Sequence, residues 1–322
     1  MSGMNTANST LLTRTEVWSN ELKEILRDEM MAQRYVRMLE GFPDGNTFHI
    51  PSIGQAQVDN YNEDSSVEYR PLDTGEFTFS VDKYLSSATY MTKKAEQDTF
   101  YGNELMSRFV PEQERAIMAH FETTTMAAAE VGVGANSQSL IDGRIHRYAG
   151  GNAGKMAVED FAYARMQLKM ANVPDQNMIA IVDPSVEYTI NTLSALAAVT
   201  NNPKFEGVVS KGIATGMRFI ANIYGFDVYT SNYCAEATDG ALPPIDGGGN
   251  VNFGAGTAGK VNLFFSADST VNPFVGAWRQ QPEVDYEYNK DYQRHEFVTT
   301  ARYGVKLYRP ENMVRVITTP TV

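Results

Sequence analysis

Two glycine-rich tracts ending in lysine carry the residue types nearest to a recognisable chemistry. Gly254-Ala255-Gly256-Thr257-Ala258-Gly259-Lys260 has the spacing of the first part of a phosphate-cradling loop. Such a loop needs a serine or threonine after the lysine to hold magnesium, and it follows a strand and opens a helix. Here Val261 follows and begins a β-rich run, so the tract reads as a surface loop. Gly150-Gly151-Asn152-Ala153-Gly154-Lys155 fails in the same way, because Met156 follows the lysine. Gly132-Val133-Gly134 has no strand before it. Asp183 stands at a strand end, but Pro184 after it points to a helix N-cap. Asp227 sits on the polar side of an alternating strand. Cys234 has no basic neighbour to lower its pKa and reads as inert. His120 shares a stripe with Ile117 and Phe121 and reads as a packed histidine. His49, His120, His146 and His295 have no ligand-like spacing, and no GxSxG, HExxH, CxxC or calcium-loop pattern occurs. The expectation is a chain with no catalytic residue, no cofactor and no metal.

Composition narrows the remaining classes. The 322 residues carry 27 Lys+Arg against 39 Asp+Glu, a net charge of -12. Proteins that grip nucleic acid show the opposite balance, because phosphate neutralisation dominates that affinity. There is 1 cysteine, so no intrachain disulfide forms, which fits a reducing compartment. No apolar run is long enough to span a bilayer, and residues 1–14 lack the apolar centre of a signal peptide.

The elements that would have to position any site come in an unusual order. Residues 1–12 are Ser/Thr/Asn-rich. Thr13 and Glu16 form a capping box for a helix using Val17, Leu22, Ile25, Leu26, Met30 and Leu39, stopped by Gly41 and Pro43. Residues 44–92 read as a long β-hairpin. Its stretch from Asp44 to Asp82 holds Asp44, Asp59, Glu63, Asp64, Glu68, Asp73, Glu76 and Asp82 against Arg70 alone. A two-stranded ribbon is marginal in water, and one this acidic needs something else to lie on. Residues 93–131 are helical, with Thr92 as cap and a kink or break at Pro111. A Gly/Ser/Asn-rich stretch, 132–154, follows. From 155 the pattern is α/β: a helix at 156–170, a buried strand at 178–182, a helix from Pro184 to about 199, strands at 217–224 and 226–230, a flexible Gly-rich insertion at 235–259, and a strand at 261–265. The last 47 residues are β-rich, with Arg279, Arg294, Arg302, Lys306, Arg309 and Arg315 along them.

This order resembles the major capsid proteins of tailed bacteriophages, the Hong Kong-type or Johnson coat fold. Gly225-Phe226-Asp227-Val228-Tyr229-Thr230-Ser231-Asn232 is similar to a strand of that family. Ala277-Trp278-Arg279-Gln280-Gln281-Pro282 resembles its entry into the peripheral strands. Arg302-Tyr303-Gly304-Val305-Lys306-Leu307-Tyr308-Arg309-Pro310-Glu311, followed by Met313-Val314-Arg315-Val316, is similar to its closing hairpin. The resemblance implies an α+β chain: an N-terminal arm (1–46), an extended loop (47–92), a peripheral domain with a long spine helix (93–154), an axial domain (155–275) and peripheral strands (276–322). It implies a non-enzymatic shell protein that forms pentamers and hexamers, encloses double-stranded DNA without sequence-specific binding, assembles in the host cytoplasm and resides in the virion.

On that resemblance, Asp59, Glu63, Asp64, Glu68 and Asp73 of the loop meet a neighbour's Arg279, Arg294, Arg302 and Arg309. Gly247, Gly248 and Gly249 face the capsomer centre. Some relatives weld subunits through a loop lysine, but residues 47–82 contain none. About a dozen residues precede the first helix, so scaffolding is expected from a separate protein or from a segment already removed. A portal is a further expected partner, and a decoration protein another. An encapsulin-type compartment shares the fold and is the alternative reading; a nucleotide-binding enzyme using 254–260 is the remote one.

Overall fold

The computed structural model describes residues 32–40, 47–54, 74–99, 102–151, 153–192, 219–238, 240–254 and 257–320, with isolated positions 58, 60, 63, 66 and 69 in the loop. In chain order the elements are α1 (Ala32–Tyr35), β1 (Arg37–Met38), β2 (Thr47–Ile53), β3 (Thr74–Ser80), β4 (Lys83–Thr92), α2 (Lys93–Asp98) and α3 (Gly102–Ala128). Next come β5 (Leu140–Ile141), β6 (Arg144–Ile145), β7 (Arg147–Ala149), α4 (Val158–Met170), β8 (Met178–Val182), α5 (Pro184–Thr192), β9 (Phe219–Ile223) and β10 (Phe226–Thr230). The chain finishes with β11 (Glu236–Ala237), β12 (Ala241–Leu242), β13 (Val251–Asn252), β14 (Gly259–Ser266), β15 (Phe274–Asn289), β16 (Arg294–Leu307) and β17 (Met313–Thr318). The class is α+β, as the order of parts implied.

The larger sheet runs β7-β17-β14-β8-β10-β9, with β11 beside β14. It is covered on both faces. Ile179, Ile181, Val261, Leu263, Phe265 and Ile317 point to a core shared with Phe121 and Met126 of α3. The alternate residues Ala180, Val182, Phe264, Val314 and Val316 meet Phe161, Ala164 and Leu168 of α4 and Val186 and Ile190 of α5. Burial on both faces explains why β8 reads as the unbroken apolar run Met178-Ile179-Ala180-Ile181-Val182. Tyr224 (φ 51°) and Gly225 (φ 86°) turn β9 into β10, two left-handed residues whose twist suits a two-residue hairpin.

The smaller sheet runs β1-β15-β16-β4. Among the described residues α3 covers one of its faces, and Phe79 and Val81 at the hairpin root cover Val275 and Ala277 at the base of β15. Phe121 stacks on Trp278 with centroids 5.0 Å apart and meets Tyr303 edge-on at 5.1 Å. Gln113 donates to the Phe297 carbonyl at 3.3 Å and accepts from Thr299 Oγ1 at 2.8 Å. The other face of β4 is exposed at every second residue. β17 leaves the long β15–β16 hairpin and enters the larger sheet between β7 and β14, so the chain's end ties the two sheets together.

Several sequence expectations need correction. The expected N-terminal helix lies mostly outside the described residues. Its last part is not helical: helix ends at Tyr35, and Arg37–Met38 pair in parallel with Val275 and Gly276, so Leu39 lies beyond a strand. Thr92 does cap a helix, accepting from Ala95 N at 3.2 Å, but that helix is the short α2. No second helix starts at Pro111: α3 runs through it as one element of 27 residues, and the helical stretch divides earlier, α2 ending with Thr99 as its C-cap. His120 is satisfied, its ring edge-on to Tyr303 with centroids 6.3 Å apart and its Nδ1 2.7 Å from the Tyr303 hydroxyl, but it is exposed and not in the core. The 235–259 insertion is not loose. Leu242 and Phe253 are fully buried, β12 pairs with β13, and β11 pairs with β14. Residues 193–199, where the second axial helix was expected to continue, lie outside the described residues.

Arg315 is no surface arginine of the tail. It is 2% exposed, and its guanidinium donates to the Ala129 carbonyl at the C-terminal end of α3 at 2.6 Å. Buried Arg147 donates to Glu130 Oε2 at 3.0 Å and to the Ser137 carbonyl at 3.0 Å. Arg315 lies 3.8 Å from the same carboxylate, and burial pulls its pKa down from the usual arginine value. One carboxylate and a helix C-terminus therefore serve two buried cations. Removing a partner from such a group leaves buried charge uncompensated. Glu130→Ala should lower unfolding stability by about 3 kcal/mol, read by denaturant titration; a change under about 0.5 kcal/mol, the range of ordinary surface substitutions, would show that the cluster is already compensated by solvent.

Candidate assembly surfaces

The hairpin β2–β3 pairs in register from Thr47 with Ser80 to Ile53 with Thr74. Among the described residues it is held at its root. Phe79 and Val81 are buried with Val275 and Ala277 of β15. Phe77 meets the Tyr308 ring edge-on at 4.8 Å. Lys306 donates to the Thr78 carbonyl at 2.9 Å and lies over the Phe77 ring at 5.1 Å. Gly304 makes this seating feasible, since a Cβ there would stand 2.5 Å from the Ser80 carbonyl oxygen. Outward from the root, His49 pairs with Glu76 on the exposed surface. Farther out, Val58 is 97% and Tyr69 94% exposed.

Of the nominated acids one is described, and the nominated arginines lie apart from one another along the chain's long hairpin. Glu63 is exposed in the loop, while Asp59, Asp64, Glu68 and Asp73 lie outside the described residues. Arg294 is engaged within its own chain, with Nε 2.5 Å from Glu296 Oε1 and its guanidinium over the rings of Tyr90 at 4.5 Å and Tyr292 at 4.7 Å. Arg309 lies over Tyr308 at 5.3 Å. Arg302 is half-buried opposite Gln280 and Tyr84, and Arg279 is exposed at a bulge. At about 3.3 Å per strand residue, Arg294 and Arg302 are roughly 26 Å apart along β16. These arginines sit at the tip, the middle and the base of one long hairpin rather than in one cradle.

The motif Ala277-Trp278-Arg279-Gln280-Gln281-Pro282 acquires a local meaning. Register shifts occur between Trp278 and Gln280 and between Gln280 and Glu283, so β15 is bulged twice there. A proline in a strand needs such a bulge or an edge position. Gly247, Gly248 and Gly249 form an exposed turn between β12 and β13. Asp246 Oδ1 accepts from Gly248 N at 2.9 Å, and Gly247 has φ +75°. The glycine tract thus stands on a two-stranded base anchored by buried Leu242 and, just beyond β13, Phe253.

The chemical look-alikes resolve into structural roles. Lys260 lies in β14 and pairs with Glu236 at 2.9 Å, so it faces no phosphate cradle. Asp183 Oδ2 accepts from Ser185 N at 3.0 Å, which makes it the cap of α5. Asp227 accepts from Asn222 Nδ2 at 2.7 Å on the β9–β10 hairpin. Cys234 is buried, and burial pushes its thiol pKa up, away from the reactive thiolate. Asp160, which sequence reasoning passed over, is 1% exposed and accepts from Ala157 N at 2.8 Å and Gly151 N at 3.2 Å. Burial outweighs those donors and pushes its carboxyl up to about 6.

Against known proteins, a family model described as "Phage capsid protein" matches residues 75–316. No curated protein matches the chain. Among solved structures, the capsid of the cyanophage P-SCSP1u is similar over 98% of this chain and 95% of its own, at 14% identity and a TM-score of 0.71. The Mycobacterium phage Che8 structure is similar over 94% and 96%, at 14% identity and 0.67. The capsid of Ralstonia phage GP4 is similar over 96% of both chains, at 12% identity and 0.65.

Two measurements probe these surfaces. Gly304→Val should displace the hairpin root, cost about 1–3 kcal/mol by overpacking, and reduce particle yield in sedimentation; normal particles at normal yield would mean the hairpin's angle is not set at this glycine. For Asp160 the folded carboxyl holds its proton to a higher pH than the unfolded one. Its contribution to stability is therefore present below about pH 4 and lost as pH rises through about 6. Asp160→Asn should flatten the fall in thermal stability between those values, and an unchanged slope would assign that fall to other groups.

Proposed function

This chain belongs to the phage capsid protein family, and from that premise we propose how a shell protein of this sequence joins its neighbours. It is a capsid shell protein, and its place is the virion capsid. The family is a structural one. The hairpin 47–80 of each copy is buried by an adjacent copy, giving pentamers and hexamers in an icosahedral shell around double-stranded DNA.

One observation carries this. The hairpin is fixed by Phe77, Phe79, Val81 and Lys306 at its root, and it carries almost fully exposed Val58 and Tyr69 farther out. A ribbon with apolar residues and no covering layer gains stability only when another surface covers it. In the proposed assignment the smaller sheet with α3 is the peripheral domain. The larger sheet with α4 and α5 is the axial domain, and its exposed Gly247-Gly248-Gly249 turn faces the capsomer centre. Glycines suit that place because the same turn must meet both fivefold and sixfold neighbours. The loop acids meet a neighbour's arginines one at a time along its long hairpin, which favours register over affinity. A net charge of -12 suits a wall that holds DNA without gripping it. Scaffolding, portal and decoration proteins are the further partners of this reading.

Negative-stain microscopy of the purified protein should show closed shells. A stable solitary monomer with residues 14–92 protected from protease would overturn the reading. Replacing residues 54–73 by a short turn should leave thermal unfolding of the subunit near the parent's and abolish shells; shells of normal yield would remove the hairpin from the argument. With no lysine in 47–82, denatured shells should run as a single monomer band.

A further inference from the structure

The smaller sheet has two outer edges, and they are built differently. Beyond Ala277, β15 has no strand neighbour on its outer side among the described residues. That edge carries the devices that discourage pairing: two bulges, Pro282, and the exposed acids Glu283, Asp285 and Glu287. The opposite edge, β4, has none. It is ten residues long, pairs with β16 without a register shift, and holds no proline and no charge between Lys83 and Lys93. A long, regular, uncharged edge is a template for another strand.

The sequence of β4 also specifies which strand. Tyr84-Leu85-Ser86-Ser87-Ala88-Thr89-Tyr90 is nearly symmetrical about Ser87. In an antiparallel pair, residues directly opposite share a face. Two copies of β4 crossing at Ser87 would set Tyr84 opposite Tyr90 at both ends, with Ser86 opposite Ala88 between them. Both tyrosines lie on the face that α3 does not cover, 66% and 58% exposed, and Arg294 already stacks on Tyr90. Aromatic cross-strand pairs are among the favourable ones. The same operation on β15 would bring its acids together, so the charge pattern selects β4.

We propose that β4 pairs with β4 of a second copy about a twofold axis through Ser87, joining two four-stranded sheets into one of eight strands. The contact is isologous, so it closes at two copies and links subunits pairwise. About eight to ten backbone hydrogen bonds form along it. It goes beyond the hairpin contact proposed above and is independent of the ring size of the capsomer.

The test uses Ser87→Cys in the full chain. The twofold axis puts residue 87 opposite itself at about 4.5–5.5 Å between Cα atoms, within the range of a disulfide. Mild oxidation of assembled particles should give a dimer band, and only a dimer, on a non-reducing denaturing gel. Adding Ala88→Lys, which charges the exposed face without entering the core, should reduce that band at least tenfold. Thiol 87 left unoxidised and open to maleimide in intact particles overturns the proposal, and so does a ladder beyond the dimer. If wild-type protein forms no shells, the capsid reading fails on its own; the pairing is then judged by the same dimer band from protein in solution. Should Ser87→Cys prevent folding, the double variant Ser86→Cys with Ala88→Cys reads the same axis from the exposed face.

Discussion

A ribbon of two strands has no interior, and that constraint governs this molecule. Every other part of the described chain finds a core: the larger sheet has helices on both faces, and the smaller sheet has α3 on one. The hairpin has only its root, wedged against β15 and β16 by Phe79, Val81 and the room that Gly304 leaves for Ser80. Its direction relative to the body is fixed, while the described residues farther out, such as Val58 and Tyr69, stand almost fully exposed. A rigid base with a bare projection is what a building block needs if it is to meet an identical neighbour at a reproducible angle.

α3 connects this projection to the rest. Its side chains belong to the core of the larger sheet through Phe121 and Met126, and the same Phe121 stacks on Trp278 of the smaller sheet. Its C-terminal end is tied to β17 by Arg315 and, through Glu130, to β7 by Arg147. The two sheets therefore share one helix, and a buried ion cluster fastens the end of that helix to the larger sheet. Charge inside the subunit is largely settled internally, as with Lys260 and Glu236 or Arg294 and Glu296. What remains for neighbours is shape, exposed aromatic rings and open strand edges.

The sequence was most readable where one physical signal dominated. Burial on both faces wrote β8 as five consecutive apolar residues, and the tail was readable as β-rich, whereas the closing hairpin expected at 302–316 is in fact β16 of the smaller sheet followed by β17 of the larger one. Pro184 and Asp183 marked the start of α5 through capping chemistry. It was least readable where a local signal was overruled by distant packing. Pro111 is a helix breaker in isolation, yet α3 continues through it against β16 and β4. The glycine-rich 235–259 read as slack because composition cannot reveal that Leu242 and Phe253 are buried. Arg315 read as one more arginine of the β-rich tail, since its counter-charge Glu130 lies far away in sequence. Among the nominated surface residues, Arg294 could not be seen to have partners of its own, because Tyr90 comes from a strand some two hundred positions earlier.

The attachment of the arm carries a mechanical consequence. Val36 is buried, Arg37 and Met38 lie parallel to Val275 and Gly276, and Leu39 N donates to the Gly276 carbonyl at 2.8 Å. Gly276 lets this approach happen, since a Cβ there would press on Val36 Cγ1 at 3.0 Å. Tension applied to the preceding residues along the strand axis would load these bonds together, in shear, and pass straight into β15. Tension applied across that axis would peel them one after another. The same short splice is thus tough in one direction and yielding in the other, and the direction from which a neighbour tugs decides which of the two it meets.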